Sequence, residues 1–462
     1  MRRLSALVGF VAALGIVVSL MAAPMHPMQP MTTPMQPMTA PSGPAKSAAP
    51  AAPVPARSVP ATAAHDWPQW QGPNRDAISA ETGLLAEWPN DGPPLLWKGT
   101  GLGKGLASVA IVGNRAYTMG DRDGQAAVVA MDLATHKVVW TASVGPEWPD
   151  NGEHCTPTVD GGLVYALSCK SDLVCVDAKT GREQWRKNLM RDFGGQMMSV
   201  WGYSESPLVD GEKLICTPGA KAAMIVALDK KTGRLIWRSA VPSFGQRGKD
   251  GAGYASCVVS EGGGIRQYVT LVGRGLIGVA AKDGKFLWGY DRVANGTANI
   301  PTPVVRGDYV FGSAGYGAGA ALLKLTASGD SVKAQEVYFL DGNTFQNHHG
   351  GFVLVGDYIY GGHGHTAGAP ICIEFLTGKV RWKASQPAGG SAAVAYADGR
   401  LYFRYESGSM VLIGATPEGY RQNGMFTIPV KTGESWPHPS IANGCLYLRD
   451  NDTLMCFDIK KK

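Results

Sequence analysis

Charge is scarce in this chain: Asp, Glu, Lys and Arg make up 17% of its 462 residues. Much of the net charge of +6 sits at the ends, in Arg2 and Arg3 and in Lys460, Lys461 and Lys462. No basic stripe is left over, and that excludes a nucleic-acid site of the usual kind. Enzyme signatures are missing too. There is no serine-nucleophile motif, no phosphate loop and no zinc-protease helix. No Cys-x-x-Cys-His occurs, so covalent c-type haem is not expected. No cysteine lies near the N-terminus, which rules out a lipid-modified N-terminal cysteine and hence a lipid anchor. Long helices are disfavoured by 61 glycines and 30 prolines, and many short strands joined by turns are favoured instead.

What is present begins with a targeting pattern. Arg2 and Arg3 precede an apolar run from Leu4 to Leu20, and Met21-Ala22-Ala23 offers small residues for cleavage. Residues 1–23 are therefore expected to be a signal peptide. The run is short for a membrane span, an uncleaved anchor is the alternative, and no span is expected after cleavage. Residues 24–65 are Pro-, Ala- and Met-rich and cannot bury a core, so they read as a disordered linker. Met25, Met28, Met31, Met35 and Met38, with His26, are soft enough to suit Cu(I), but a near-repeat of Met-Gln-Pro in a linker explains them without a metal.

Beyond Asp66 the chain repeats. Asp177-Ala-Lys-Thr-Gly181 is followed by Trp185, and the same nine-residue frame recurs at Asp229–Trp237. It recurs at Asp132–Trp140 with His136 in the Gly place, at Ala280–Trp288, and at Glu374–Trp382. The Asp side chain can close a turn by accepting backbone N–H groups. Gly supplies the positive φ of a tight hairpin, and Trp fills the gap between neighbouring sheets. Two or three strand signals precede each frame, so each unit reads as four antiparallel strands, a propeller blade. Val337-Tyr338-Phe339 and Met425-Phe426-Thr427 take the last-strand place in two divergent blades. The chain ends on a third strand, Leu454–Ile459, and Leu95-Leu96-Trp97 has a last-strand pattern with no blade before it. Joining them predicts an all-β, eight-bladed propeller over residues 66–462, closed by its N-terminal strand. A seven-bladed ring would leave Trp97 unused.

Eight cysteines in an exported chain invite disulfides. Cys175, Cys372 and Cys456, however, fall in the slot that holds Ala130, Ala227 and Gly278 elsewhere, where a small apolar residue is wanted. Two cross-strand pairs are conceivable: Cys445 with Cys456 across an Asp450-Asn451 turn, and Cys169 with Cys175.

Six of the seven propeller histidines fall in loops between strands two and three, or between blades, which a propeller gathers on one face. His136 is the exception. Candidate ligand-binding residues on that face are Asn347, His348, His349, His363 and His365, with Trp201, Tyr203 and Glu205 across the funnel, and His154, Trp436 and His438 beside them. Tyr254, Asn299 and Tyr316 share the face. Aromatic rings there can stack a flat or sugar-like ligand, while imidazoles and the Asn347 amide fix its orientation. Any single histidine can equally be serving buried backbone groups in the channel. His348, His349, His363 and His365 are weak metal candidates, with no carboxylate partner or ligand spacing to support them; no metal site is predicted, and catalytic residues are not identifiable.

The Asp-x-x-Thr-Gly-x-x-x-Trp frame resembles the PQQ-like β-propeller repeat. Asp66-Trp-Pro-Gln-Trp-Gln-Gly-Pro-Asn-Arg-Asp76, Trp201-Gly-Tyr-Ser-Glu-Ser-Pro207, Asn347-His-His-Gly-Gly351 and Gly361-Gly-His-Gly-His365 look like exported bacterial members of that family. The resemblance spans residues 66–462 and implies the fold more firmly than the activity. One branch of the family oxidises alcohols or sugars with PQQ; another, the lipoprotein of the outer-membrane barrel assembly machinery, is not an enzyme. Many quinoprotein alcohol dehydrogenases carry an adjacent cysteine pair, which this chain lacks, and most are longer. The expectation is an exported binding or scaffold module of the periplasm or cell envelope, with no cofactor and with an envelope protein, peptide or glycan as partner. The alternative is a dehydrogenase of alcohols or polymers using PQQ with Ca²⁺.

Overall fold

The repeated frame folds as its chemistry requires. In the turns at 132, 177 and 229, the Asp Oδ1 accepts the backbone N–H groups two and three residues on and the Thr hydroxyl, as in Thr180 Nα to Asp177 at 2.8 Å. The residue in the Gly place is left-handed in every case, with φ of +74° at Gly181, +68° at Gly233, +76° at Gly284 and +73° at Gly378. The Trp that follows lies opposite the small slot: Ala130 faces Trp140, Cys175 faces Trp185, Ala227 faces Trp237, Gly278 faces Trp288 and Cys372 faces Trp382. A register shift comes directly after each pair, a bulge that turns the outer strand.

The same residues latch one blade to the next. A Cβ on Gly181 would lie 2.7 Å from the ring of Trp140, one on Gly233 2.8 Å from Trp185, and one on Gly378 2.8 Å from Tyr338. At these junctions the aromatic ring of one blade lies close under the turn of the following blade, where a Cβ would crowd it. Trp140, Trp185 and Trp382 also donate their indole N–H to the next blade, to the carbonyls of Ala178, Lys230 and Thr416. Trp288 departs from the pattern: its Nε1 bonds Gln267 of its own blade, and the junction to the following blade is carried by Tyr290 and Arg292 on Glu336.

The computed structural model describes residues 65–462. The signal-peptide segment, nearly all of the linker, and the Met25–Met38 cluster with His26 lie outside the described residues. Eight four-stranded antiparallel sheets form a ring, an eight-bladed β-propeller. We number the blades by chain order: 1 at 110–146, 2 at 158–188, 3 at 208–239, 4 at 258–290, 5 at 304–340, 6 at 352–383, 7 at 392–427 and 8 at 440–458. Blade 8 takes its fourth strand from Leu95–Gly99, which pairs with Thr453–Asp458 so that Trp97 faces Cys456. Trp97 then stacks on the His136 ring of blade 1, 4.4 Å between centroids and 18° between planes, so the histidine in the Gly place extends the latch rather than breaking it. Among the described residues the only α-helix is Leu189–Phe193, and no helix is long and apolar enough to cross a membrane.

Neither proposed disulfide is assembled; all eight thiols are free. The last hairpin turns at Asn451-Asp452, one residue later than expected, so Cys445 is in register with Asp458 and Cys456 with Tyr447, while the two thiols stay within hydrogen-bonding reach of each other. Cys175 faces Tyr165, while Cys169 sits in the preceding turn, its backbone N–H held by Glu153.

Trp97 is half-buried and holds both the closing strand and blade 1. Trp97→Ala is expected to cost about 2 kcal/mol, below the range for a fully buried aromatic. An unchanged midpoint in urea unfolding would mean that the ring does not depend on this latch.

Candidate functional site

The inner strand of each blade starts near the ring axis, and a hydroxyl residue precedes it in five successive blades. The backbone N–H of Ser108 donates to Thr156 Oγ1 at 3.2 Å, that of Thr156 to Ser206 Oγ at 3.1 Å, that of Ser206 to Ser256 Oγ at 2.9 Å, and that of Ser256 to Thr302 Oγ1 at 3.4 Å. The His438 N–H joins from blade 8, donating to Ser108 Oγ at 2.7 Å. Strand ends at an axis have N–H groups with no ladder partner, and this chain of hydroxyls satisfies them from blade to blade.

The segment before the closing strand lies across this throat. Trp67 bridges Ile111 of blade 1, the Pro68 carbonyl accepts Val159 of blade 2, and Trp70 Nε1 donates to Thr302 beside blade 5 at 3.0 Å. Buried Arg75 donates to the carbonyls of Ser206 at 2.6 Å and Pro207 at 3.1 Å, leading into blade 3. Ile78 bridges Tyr396 of blade 7. A segment touching blades on opposite sides of a ring must cross its axis, so residues 67–78 floor the channel.

Above Trp70 and Gln71 the loops enclose a cavity of about 210 Å³. His154, Trp201 and Tyr254 form one wall; Tyr316, His348 and His349 face them; Trp436 and His438 close the side. The rings are in mutual contact: Trp201 on Tyr254 at 6.0 Å, His348 on His349 at 4.7 Å, His349 on Trp436 at 4.6 Å and Trp70 on His438 at 4.4 Å. Among the described residues no Asp, Glu, Lys or Arg lines the cavity. Burial holds the imidazoles neutral: His154, His348 and His438 are pushed down to about 4, and His349 lies well below its ordinary value.

Of the eleven candidates, His154, Trp201, His348, His349, Trp436 and His438 line this cavity. His365 stands just behind, its ring 4.3 Å from His348 and 4.1 Å from Tyr316. The other four do not line it. Asn347 is buried and bonds the backbone, donating to the Gly351 and Gly362 carbonyls at 2.9 Å each. Tyr203 donates to the Pro218 carbonyl at 2.8 Å. Glu205 accepts the Thr217 N–H. His363 turns toward Phe345, 6.3 Å away, and accepts the Gln346 N–H. Among the described residues no three His, Cys, Asp or Glu side chains are arranged to hold a metal ion, so the four-histidine arrangement is not assembled. The sequence reading missed Trp70, Gln71 and the hydroxyl chain. The signal for the last was a Ser or Thr before each inner strand, at intervals of 48, 50, 50 and 46 residues.

Comparison with known proteins agrees with this architecture. A family model described as outer membrane protein assembly factor BamB matches residues 124–384, more than half of the chain. The chain belongs to the PQQ-like β-propeller family. Within the family its relations are distant. It is 30% identical over 100 residues to the 1-butanol dehydrogenase (quinone) of Thauera butanivorans, a stretch covering 21% of this chain and 15% of that protein. Among solved structures, BamB from Moraxella catarrhalis superimposes with a TM-score of 0.56 at 12% identity, over 80% of this chain and 98% of that one. The quinohemoprotein alcohol dehydrogenase of Comamonas testosteroni gives 0.61 at 14% identity, over 86% and 81%. At such identities the likeness establishes the ring and leaves the activity to the residues of the site.

Two carboxyl groups are buried beside the throat without a cation in contact. Burial raises Glu153 to about 8 and Glu205 to about 7. Each raised group stabilises the fold only while it keeps its proton, so its contribution is present in acid and is lost as pH rises from 4.5 through the folded value. The cavity histidines are common to both proteins and drop out of the difference. Glu153→Gln/Glu205→Gln is therefore expected to lose less stability than the wild type between pH 7 and 9, by about 2 kcal/mol. Parallel curves of urea midpoint against pH would show that the two carboxyls are not responsible.

Proposed function

We propose that this chain is an exported binding or scaffold module of the cell envelope, and that its ligand sits in the floored funnel between His154, Trp201, His348, His349, Trp436 and His438. The observation that carries this reading is the lining itself: aromatic, hydroxylated and free of ionised side chains. Such a wall is built for recognition by stacking and hydrogen bonds. The apolar leader of residues 1–23 and the family's link to outer-membrane assembly support an envelope location, with an envelope protein, peptide or glycan as the bound partner.

PQQ with Ca²⁺ fits this funnel poorly. Ca²⁺ takes six to eight oxygen ligands, with carboxylates prominent among them, and no carboxylate lines the cavity. PQQ is itself a carboxylated quinone, and no Arg or Lys lines the cavity to neutralise it. A buried carboxylate without a cation is strongly disfavoured. Purified protein given PQQ and Ca²⁺ is expected to show no dye-linked oxidation of alcohols, and the protein as isolated no quinone-like absorbance. Clear turnover would replace the binding reading with a quinoprotein dehydrogenase.

A further inference from the structure

Among the residues that line the funnel are four buried ring nitrogens with no hydrogen-bond partner among the described residues. Both ring nitrogens of His349 are buried without a partner, as are Trp436 Nε1 and His438 Nδ1. The neighbouring imidazoles, by contrast, are engaged. His154 bonds Ser204 at 2.9 Å and Asn151 at 2.8 Å, and His348 bonds Ser391 at 3.1 Å and Tyr316 at 3.3 Å. An unpaired buried polar atom costs about 1–3 kcal/mol, and here several gather on one wall.

Their polarities define what can satisfy them. A neutral imidazole offers one N–H and one bare nitrogen, so His349 presents a donor and an acceptor. His438 donates Nε2–H to the His349 carbonyl at 3.0 Å, which leaves its Nδ1 as an acceptor. Trp436 is a donor only. The wall therefore holds two donors and two acceptors, and a molecule that meets all four must donate as well as accept. A quinone only accepts and would leave both bare nitrogens unpaired. A carboxylate or an ammonium would lose its hydration and meet no opposite charge. Hydroxyl groups fit both demands. The rings of Trp70, Trp201 and Tyr316 also line the cavity and add apolar surface for the C–H side of a saturated ring. The 210 Å³ cavity is below the usual ligand range of about 300–1,000 Å³, which suits one ring rather than a chain.

We propose that the funnel binds one uncharged, hydroxylated sugar ring, with His349, Trp436 and His438 bonding its hydroxyls and the aromatic floor and walls stacking its face. This rests on the funnel being the ligand site. The glycan among the partners above would then be recognised by a terminal or single residue.

Tryptophan fluorescence and calorimetry on the full chain test it. The probes are D-glucose, D-galactose, D-mannose and N-acetyl-D-glucosamine, set against D-glucuronate, D-glucosamine and menadione. At least one neutral sugar is expected to bind, and its charged counterparts about tenfold more weakly. His349→Phe removes two unpartnered nitrogens, so its unliganded melting temperature is expected to be unchanged or higher, while sugar affinity falls about tenfold or more. A histidine kept for structure would instead lower the melting temperature. Failure of every neutral sugar to bind, or equal binding of neutral and charged forms, overturns the proposal. Binding of menadione alone, lost in His349→Phe, also overturns it but keeps the funnel as the ligand site. Sugar binding untouched by both His349→Phe and Trp436→Phe overturns the funnel itself.

Discussion

One contact repeats around much of the ring: an aromatic side chain at the end of one blade lying close under the left-handed turn of the next. It combines three demands. The turn must have positive φ, the turn residue must have no Cβ where the ring passes, and the slot beside the ring must be small. Asp, Gly and the Ala/Gly/Cys position answer these in turn, and that is why the frame keeps its internal spacing while the rest of each blade drifts. Trp97 on His136 takes the place of this contact at the closing junction, with an imidazole stacked on the indole where other turns have Gly. Without the strand that carries Trp97, blade 8 would have three strands and an unpaired edge at Thr453–Asp458, which natural sheets avoid.

The latch fixes the outside of the ring and leaves a hole at its centre. Eight blades leave the inner strand ends facing an axis where backbone groups have no ladder partner. The chain meets this in two ways, with hydroxyls handed from blade to blade and with the 67–78 segment laid across one end. The second turns a channel into a funnel. Everything that distinguishes this molecule chemically lies in the loops above that floor, where the frame imposes nothing, and those loops have converged on aromatic rings and neutral imidazoles.

Much of this was legible in the sequence, and the reasons are local. The hairpin frame acts over nine residues, so its spacing is printed in the chain, and the unmatched Trp97 sufficed to infer closure. The face on which the histidines gather followed from strand counting. Side-chain direction did not. Asn347 stands next to His348 but turns inward to the Gly351 and Gly362 carbonyls, and Glu205 stands next to Ser204, which bonds His154, yet faces the Thr217 N–H. Adjacent residues in extended loops point opposite ways, and only the three-dimensional path decides which of the two reaches the cavity. Trp70 was missed for a different reason. Its role depends on a crossing of the axis that has no period and no local signature.

The path of residues 67–99 also governs the order in which the molecule can become itself. This stretch supplies the floor of the ring and the last strand of its last blade, yet it comes first in the chain, before every blade it touches. Its partners at Tyr396 and at Thr453–Asp458 are made only after all or most of the intervening blades. At a synthesis rate of about 5–20 residues per second, the early segment waits tens of seconds for them. Contacts of such sequence separation are slow to form. The ring is thus open by construction until Thr453–Asp458 arrives, and it locks only when that strand meets Leu95–Gly99.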